Sequence, residues 1–403
     1  MTRSRIKLTL RTAVFCATMA TGKQAVAETV NNALSGGGQP PILEIWNEEI
    51  PVMCSLAVAM DGTVLLFKEQ RDEKRVIVKR SMDGGRNWTL PIEVGKRVRI
   101  EGDMSDDGRY RGEHVGWSEL GSVIVDETTS DIIVFAGSLK PASILYRSSD
   151  HGKTWKKETM RLKRDRNGWL ATTYCCDPGV TLKHGARKGR LLVPSQVFVG
   201  AIEDTTRTYL NKGQNRKYFA KRYSNAIYSD DGGKTWSHSE PFPILGSSEP
   251  SLVELHDGRI YYNARTHSRP GNKLVAWGND GGQSWQGARE DDELFDGPPD
   301  EYGCKGALAR IPGNRRDILL FSSPGRRDKR DDITIQVSTD GGKSWPISRL
   351  VKKGPGNYTW LAAGRKGTPS QGMIYLASNK DWMARFNMSW VMQEKTRTSG
   401  QER

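Results

Sequence analysis

One eight-residue phrase occurs five times in this chain: SMDGGRNW (81–88), SSDHGKTW (148–155), SDDGGKTW (229–236), GNDGGQSW (278–285) and STDGGKSW (338–345). The phrases start at 81, 148, 229, 278 and 338, so they stand 67, 81, 49 and 60 residues apart. A phrase returning at unequal intervals marks one supersecondary unit built repeatedly around a common axis, with insertions of different length. Its Asp (Asp83, Asp150, Asp231, Asp280, Asp340) can accept hydrogen bonds from backbone amides across a tight turn. The glycine two residues on can take φ > 0, and the Trp covers the turn.

Before three of the boxes lie runs rich in β-branched residues, VIVKRS, ASILYRSS and DITIQVS, while the chain after each Trp turns polar or reaches Pro. Each box is therefore expected to join two antiparallel strands. Further runs without a box, such as GSVIVDETTSDIIVFAG (121–137), bring the total to about six four-stranded units. The expected fold is all-β, a six-bladed β-propeller of four-stranded antiparallel blades with the boxes as hairpin turns. No long helical periodicity interrupts this pattern, and 43 Gly with 18 Pro suit a chain of strands and turns.

Residues 1–27 carry basic residues first, then a short apolar stretch around Ala13 to Ala20, then Ala25-Val26-Ala27 as a small-residue cleavage site. They read as a secretory signal, so a secreted or periplasmic location is expected. Residues 28–41, rich in Asn, Gly and Gln, read as a linker, 42–393 as the propeller and 394–403 as a polar tail. No other segment has the length and apolarity of a transmembrane helix.

Five Cys do not make a disulfide scaffold, and Cys16 would leave with the signal. Pairing among the other four is not encoded in their spacing; Cys54 with Cys304 is one conceivable bridge. There is no paired C-x-x-C and no helix-spaced His pair, so no transition-metal site is expected, and no cofactor is required. The formal net charge is +14, yet the basic residues are scattered through strands and loops instead of forming a basic helix or an aromatic-interleaved stripe. That distribution speaks against a nucleic-acid partner. It suits long-range attraction of an acidic glycan or glycoconjugate.

The boxes resemble the Asp-boxes of the sialidase (neuraminidase) family, and from about Ser247 to Val391 the chain is similar to that family nearly segment by segment. SSEPSLVELHDGRIYYNAR, GCKGALARI, LLFSSPGRRDKRDDITIQVSTDGGKSWP, GPGNYTWLAAG and MARFNMSWV follow in the family's order. The resemblance implies a retaining exo-glycosidase that removes a terminal sialic acid or related acidic sugar. A carboxylate on the anomeric carbon of such a sugar would repel a second carboxylate, and the family uses a neutral Tyr as nucleophile. Tyr358 of GPGNYTW stands at that place, and Glu249 of SSEPS matches the Glu that takes its proton. Arg265 of YYNAR matches the second of three carboxylate-gripping arginines; Arg330 best matches the third, with Arg327 as its rival.

The first half departs from the pattern. Where the family has an Arg-Ile-Pro phrase, this chain reads NEEIPVMCSLAV, which places Glu49 or Val52 at the first Arg of the trio. The acid/base Asp of the family follows a phrase like FKEQR, in which Arg71 is a candidate substrate contact, but the loop after Arg71 offers only Asp72 and Glu73, of which Asp72 is the candidate. The late Glu that holds the first Arg is also missing from MIYLASNK. His184 could reach the pocket from the third blade, and Asp103, Arg109, Arg111 and Glu113 are possible ligand contacts. The alternative reading is a non-catalytic propeller that binds acidic glycans and kept part of the pocket.

Overall fold

The computed structural model describes residues 39–96, 119–137, 144–197, 222–266, 271–298, 303–313 and 316–393. Six four-stranded antiparallel sheets form the blades of a β-propeller. Their innermost strands, in chain order from blade I to blade VI, are Cys54–Val58, Glu119–Val125, Val180–Thr181, Ser247–Glu254, Ala307–Arg310 and Thr359–Ala363. Blades I to V are simple meanders in which consecutive strands pair outward from the axis. Blade VI takes its outermost strand from the start of the chain: Leu43–Asn47 pairs antiparallel with Trp382–Asn387, Leu43 opposite Phe386 and Asn47 opposite Trp382. Residues 40 and 42, at the edge of the expected linker, are docked too. Asn387 donates from its amide to the Pro40 carbonyl (2.8 Å) and accepts from the Ile42 N–H (3.1 Å).

Each box joins the third strand of its blade to the fourth, and its hydrogen bonds follow from its sequence. In the third box the Oδ1 of Asp231 accepts from the Ser229 hydroxyl and from the amides of Lys234 and Thr235, and Oδ2 accepts from the Thr235 hydroxyl. The Ser229 oxygen in turn accepts from the Gly233 N–H at 2.8 Å. Trp236, fully buried, closes the turn by donating Nε1 to the Gly233 carbonyl at 3.0 Å. The glycine at the fifth position of every box abuts the second strand of the preceding blade. A methyl group at Gly342 would meet the Tyr261 ring at 2.4 Å, and one at Gly282 would meet Leu192 at 2.5 Å. The boxes are therefore joints between blades as well as turns, which is why glycine is needed there for its size and not only for its positive φ.

Between blades the core is a series of apolar wedges. Ala57, Leu65, Phe67 and Val78 of blade I pack on Val123, Val134 and Ala136 of blade II. Full burial of each such large side chain stabilises the fold by roughly 1.5–3 kcal/mol. Along the axis the filling is polar. Lys305 and Asp177, both buried, form an ion pair at 2.6 Å. Lys305 also donates to the Thr359 carbonyl, Asp177 accepts from the Leu308 N–H, and its own N–H reaches the Pro250 carbonyl. At the box end of the axis a cavity of about 190 Å³ opens, lined by Val58, Val125, Glu127, Lys183, Glu254 and Arg365 among others.

All four described cysteines, Cys54, Cys175, Cys176 and Cys304, are free and buried, so no Cys54–Cys304 bridge forms. Cys304 instead sits against Asn357, Sγ to Oδ1 at 3.6 Å. None of the helices among the described residues is long and apolar enough to cross a membrane.

The Asp231 carboxyl is shifted to about 2: burial pushes it up, but its bonds to Thr235, Ser229 and Lys234 more than offset this. A carboxylate with a depressed folded-state value contributes stability that is present above its unfolded value and lost as pH falls through the folded one. Asp231→Ala is expected to destabilise the protein by about 1 kcal/mol at neutral pH, the size of a lost side-chain cap. In thermal melts the gap between variant and parent should close as pH is lowered from about 4 toward 2.

Candidate active site

The starts of the innermost strands and the ends of the second strands share the face opposite the boxes, and the family-like residues gather there. Tyr358 immediately precedes the inner strand of blade VI, Glu249 lies in the inner strand of blade IV, and Arg265 is near the end of blade IV's second strand, Ile260–Thr266. Tyr358 and Glu249 thus come from blades that are not neighbours and meet across the axis. The Tyr358 hydroxyl donates to Glu249 Oε1 at 3.1 Å, and Arg265 Nη1 donates both to Glu249 Oε2 at 2.5 Å and to the Tyr358 oxygen at 2.6 Å. The three side chains close a triangle. Arg265 and Glu249 are buried, and Tyr358 is the partly exposed member.

The local backbone explains how Glu249 is aimed. The pairing between the first two strands of blade IV slips between Ser248 and Ser251, and Glu249 sits in that bulge with φ of 43°. A left-handed conformation for a Glu just before a proline is strained and persists only where neighbours hold it. Two neighbours from blade III do so. Gln196 Oε1 accepts from the Glu249 N–H at 3.2 Å, and the Asp177 N–H donates to the Pro250 carbonyl at 3.1 Å. Bulges that re-aim one side chain are common beside active sites.

The electrostatics follow from burial and charge. Burial raises the Glu249 carboxyl, but Arg265, Arg222 and the Tyr358 hydrogen bond together outweigh it and hold the group below the ordinary glutamate range. Burial drives the Tyr358 hydroxyl well above the ordinary phenol value in spite of Arg265. At neutral pH the pair is a phenol donating to a carboxylate. Arg265 is pushed further up because Glu249 and Tyr358 outweigh the cost of its burial.

Arg330 reaches the same region from blade V, donating to Asn357 Oδ1 at 3.0 Å and to the Gly303 carbonyl at 2.6 Å. Arg327 does not join it; it is exposed, with its guanidinium 5.0 Å from the Phe295 ring. Arg71 and Asp72 both lie exposed on the turn after blade I's second strand, where Arg71 donates to Glu69 at 3.3 Å. Glu49 is exposed and Val52 is 42% exposed, so neither position brings a cation to the site. The nearby Lys68 is engaged by Glu48 and by the Glu49 carbonyl. His184 is misplaced by the sequence reading: it follows the inner strand of blade III at the box end, beside Glu254 and His256, away from Tyr358. Asp103, Arg109, Arg111 and Glu113 lie outside the described residues.

Four contributors carry no sequence signature. Gln196 and Arg222 of blade III approach Glu249, and Cys304 and Asn357 line the Arg330 side. Glu69, two residues before Arg71 at the end of blade I's second strand, has a fully buried side chain, unlike the exposed Asp72. Two guanidiniums, Arg265 and Arg222, thus favour the ionised carboxylate of Glu249, and the buried lysines Lys305 and Lys273 are paired with Asp177 and Asp296.

The model of the BNR repeat-like domain matches residues 123–377. The chain belongs to the BNR repeat-like family. Within reach of that family, a sialidase of Micromonospora viridifaciens is 28% identical over 368 residues, covering 86% of this chain and 52% of its own length. A sialidase of Bacteroides fragilis is 24% identical over 332 residues, covering 75% of this chain and 54% of its own. Sialidase-4 of Homo sapiens is 31% identical over 338 residues, 75% of this chain and 65% of that protein. The chain thus spans about half the length of the two bacterial relatives. Among solved structures, Hadza microbial sialidase Hz136 superposes with a TM-score of 0.60 at 22% identity, covering 83% of this chain and 64% of that one. The intramolecular trans-sialidase from Ruminococcus gnavus in complex with oseltamivir carboxylate gives 0.61 at 14% identity, covering 85% and 95%. At these identities the superpositions speak for the propeller fold.

Arg265→Ala would leave the Glu249 carboxylate buried without its main partner, so it is expected to destabilise the protein by roughly 3–5 kcal/mol in urea unfolding at neutral pH. Adding Glu249→Gln to that variant should recover a large part of the loss, because the stranded charge is removed.

Proposed function

We propose that this chain is a retaining exo-glycosidase of the sialidase type, which cleaves a terminal sialic acid or related acidic sugar from a glycan. The observation that carries the reading is the closed triangle of Tyr358, Glu249 and Arg265, with the phenol donating to a buried carboxylate. A phenol that must attack an anomeric carbon needs a base within hydrogen-bond reach, and Glu249 Oε1 is at 3.1 Å. As the oxygen attacks, its proton passes to Glu249, and Arg265 stabilises the phenolate character that develops between them. Arg265 and Arg330 grip the sugar carboxylate, with planar forks suited to that geometry. Asp72, exposed on the blade I turn, supplies the proton for the leaving oxygen and afterwards activates water, which releases the sugar with retention.

Blade I supplies no guanidinium at Glu49 or Val52, so the carboxylate is held from blades IV and V. This favours a pocket whose acidic substrate differs from common sialosides at the side facing blade I. The leader-like residues 1–27 support export of the chain, which fractionation of expressing cells would test.

Purified protein is expected to release acidic sugar from at least one member of a panel of aryl sialosides, ulosonic acid glycosides and acidic polysaccharides. Tyr358→Phe should reduce that release by roughly 10³-fold or more while leaving the melting temperature near the parent's. Glycan binding without release by the parent, unchanged in Tyr358→Phe, would favour a binding propeller. Because the base must be ionised and its folded-state value is depressed, activity should persist below the ordinary glutamate range and be lost only as pH falls through that depressed value. The acid limb of the kcat/KM profile, which reports the free enzyme, measures this.

A further inference from the structure

Blade III contributes a side-chain pair for which the reaction above has no role. Gln196, fully buried, is the penultimate residue of the strand Leu191–Val197, and its backbone is bonded on both sides: the strand pairs with Tyr223–Ser229, and the Gln196 N–H and C=O exchange bonds with Thr172 at 2.9 Å each. Its side chain rests on that fixed base. Oε1 accepts from the Glu249 N–H at 3.2 Å and from Arg222 Nη2 at 2.6 Å, while Nε2 donates to the Tyr174 carbonyl at 2.5 Å. Flipping the amide would turn its NH₂ toward two donors and its oxygen toward an acceptor, so the three partners fix one orientation. Arg222, also buried, is the one of the three that brings charge.

The Glu249 N–H needs such an acceptor. The slip between Ser248 and Ser251 takes the residue out of the ladder, and a buried N–H without a partner costs about 1–3 kcal/mol. We infer that Gln196 and Arg222 form a positioning device for Glu249: the amide holds the bulge that aims the carboxylate at Tyr358, and the guanidinium holds the amide. The inference rests on the reading of Glu249 as the base. Among the described residues, charged and titratable groups acting on Glu249 come from blades III to VI: Arg265 from its own blade, Tyr358 from blade VI, Arg222 and Cys176 from blade III, and Cys304 from the segment entering blade V. Of these, Arg265 and Arg222 are the cations that favour the ionised carboxyl.

The test uses the full chain with ¹³C-carboxyl-labelled Glu, the Glu249 signal being the one absent from Glu249→Gln, alongside kcat and KM on the best substrate of the panel. Circular dichroism and melting confirm that each variant is folded. Arg222→Met is expected to move the Glu249 titration upward toward the ordinary glutamate range, and Arg222→Lys to restore most of the parent's position by returning the charge. Gln196→Leu, which loses the acceptor, should lower kcat by roughly tenfold or more with KM within about twofold. Gln196→Glu keeps an acceptor for the Glu249 N–H but sets a carboxylate oxygen against the Tyr174 carbonyl, so it should recover part of kcat on the alkaline side, with its acid limb displaced upward by the added charge. A Glu249 titration unmoved in Arg222→Met together with an unchanged kcat in Gln196→Leu overturns the inference. If the parent releases no sugar, the proposed reaction fails alone, and the Glu249 titration in Arg222→Met then decides by itself: an upward movement supports the device and an unmoved signal overturns it. If Gln196→Leu does not fold, Gln196→Glu and the two Arg222 variants decide the question by the same readings.

Discussion

The ion pair of Lys305 and Asp177 occupies the one place in a propeller that no single blade can fill. Lys305 Nζ binds Asp177 of blade III, the carbonyl of Gly306 beside it and that of Thr359 in blade VI; Asp177 binds the Leu308 N–H of blade V and, through its own N–H, the Pro250 carbonyl of blade IV. The Ser122 hydroxyl of blade II donates to the Asp177 carbonyl. Taking both charges out of water is costly, and the pair is tolerated because nearly every donor and acceptor around it is used. Five blades are thereby referenced to one point. Pro250 follows Glu249 and Thr359 follows Tyr358, so the position of the triangle is set one peptide bond away from the axial pair.

Above that point the site holds a strained and highly charged arrangement. Glu249 adopts a backbone conformation that costs energy, and the buried Arg265 binds its carboxylate and the Tyr358 phenol oxygen at once. A second buried pair, Lys273 with Asp296, stands behind Arg265: Asp296 accepts from the Thr266 N–H at 2.7 Å, and Lys273 donates to the Cys304 carbonyl. Burial pushes the Asp296 carboxyl up to about 6 even beside Lys273. These buried ion pairs add little net stability, but they leave the surrounding backbone few alternatives, which suits groups that must keep their places while charge moves between them.

What was legible in the sequence is what depends on neighbours along the chain. The boxes declare themselves because Asp, Gly and Trp all act within eight residues, and the strands before them show their β-branched pattern. Tyr358, Glu249 and Arg265 could be picked out because they sit in segments whose order resembles a known family, although nothing in their spacing foretold the bonds among them. Gln196, Arg222, Asp177 and Lys305 could not be picked out. Each is a single polar residue in or beside a strand, and its partner is brought near only by ring closure. The choice between Arg327 and Arg330 turned on register: Arg330 directly precedes the strand Asp331–Ser338 and so points with it, whereas Arg327 belongs to the exposed turn before. His184 was misread because the inner strand of blade III spans only Val180–Thr181, which carries the following residues to the box end.

The closure of blade VI by Leu43–Asn47 has a bearing on how the protein is made. During synthesis that segment emerges before any blade is complete, yet its partner strand, Trp382–Asn387, follows only after the strands of the other five blades. The early strand must wait, unpaired, while five blades are translated, and an unpaired edge strand is a template for the wrong partner. Ile45 is exposed and Glu44 reaches Arg385 only once the ring is shut, so the waiting segment gains its ion pair at the final step. The ring is therefore assembled as a whole: its two ends are each other's last contact, and a chain interrupted late in translation keeps its boxes but never acquires a closed axis on which the triangle could form.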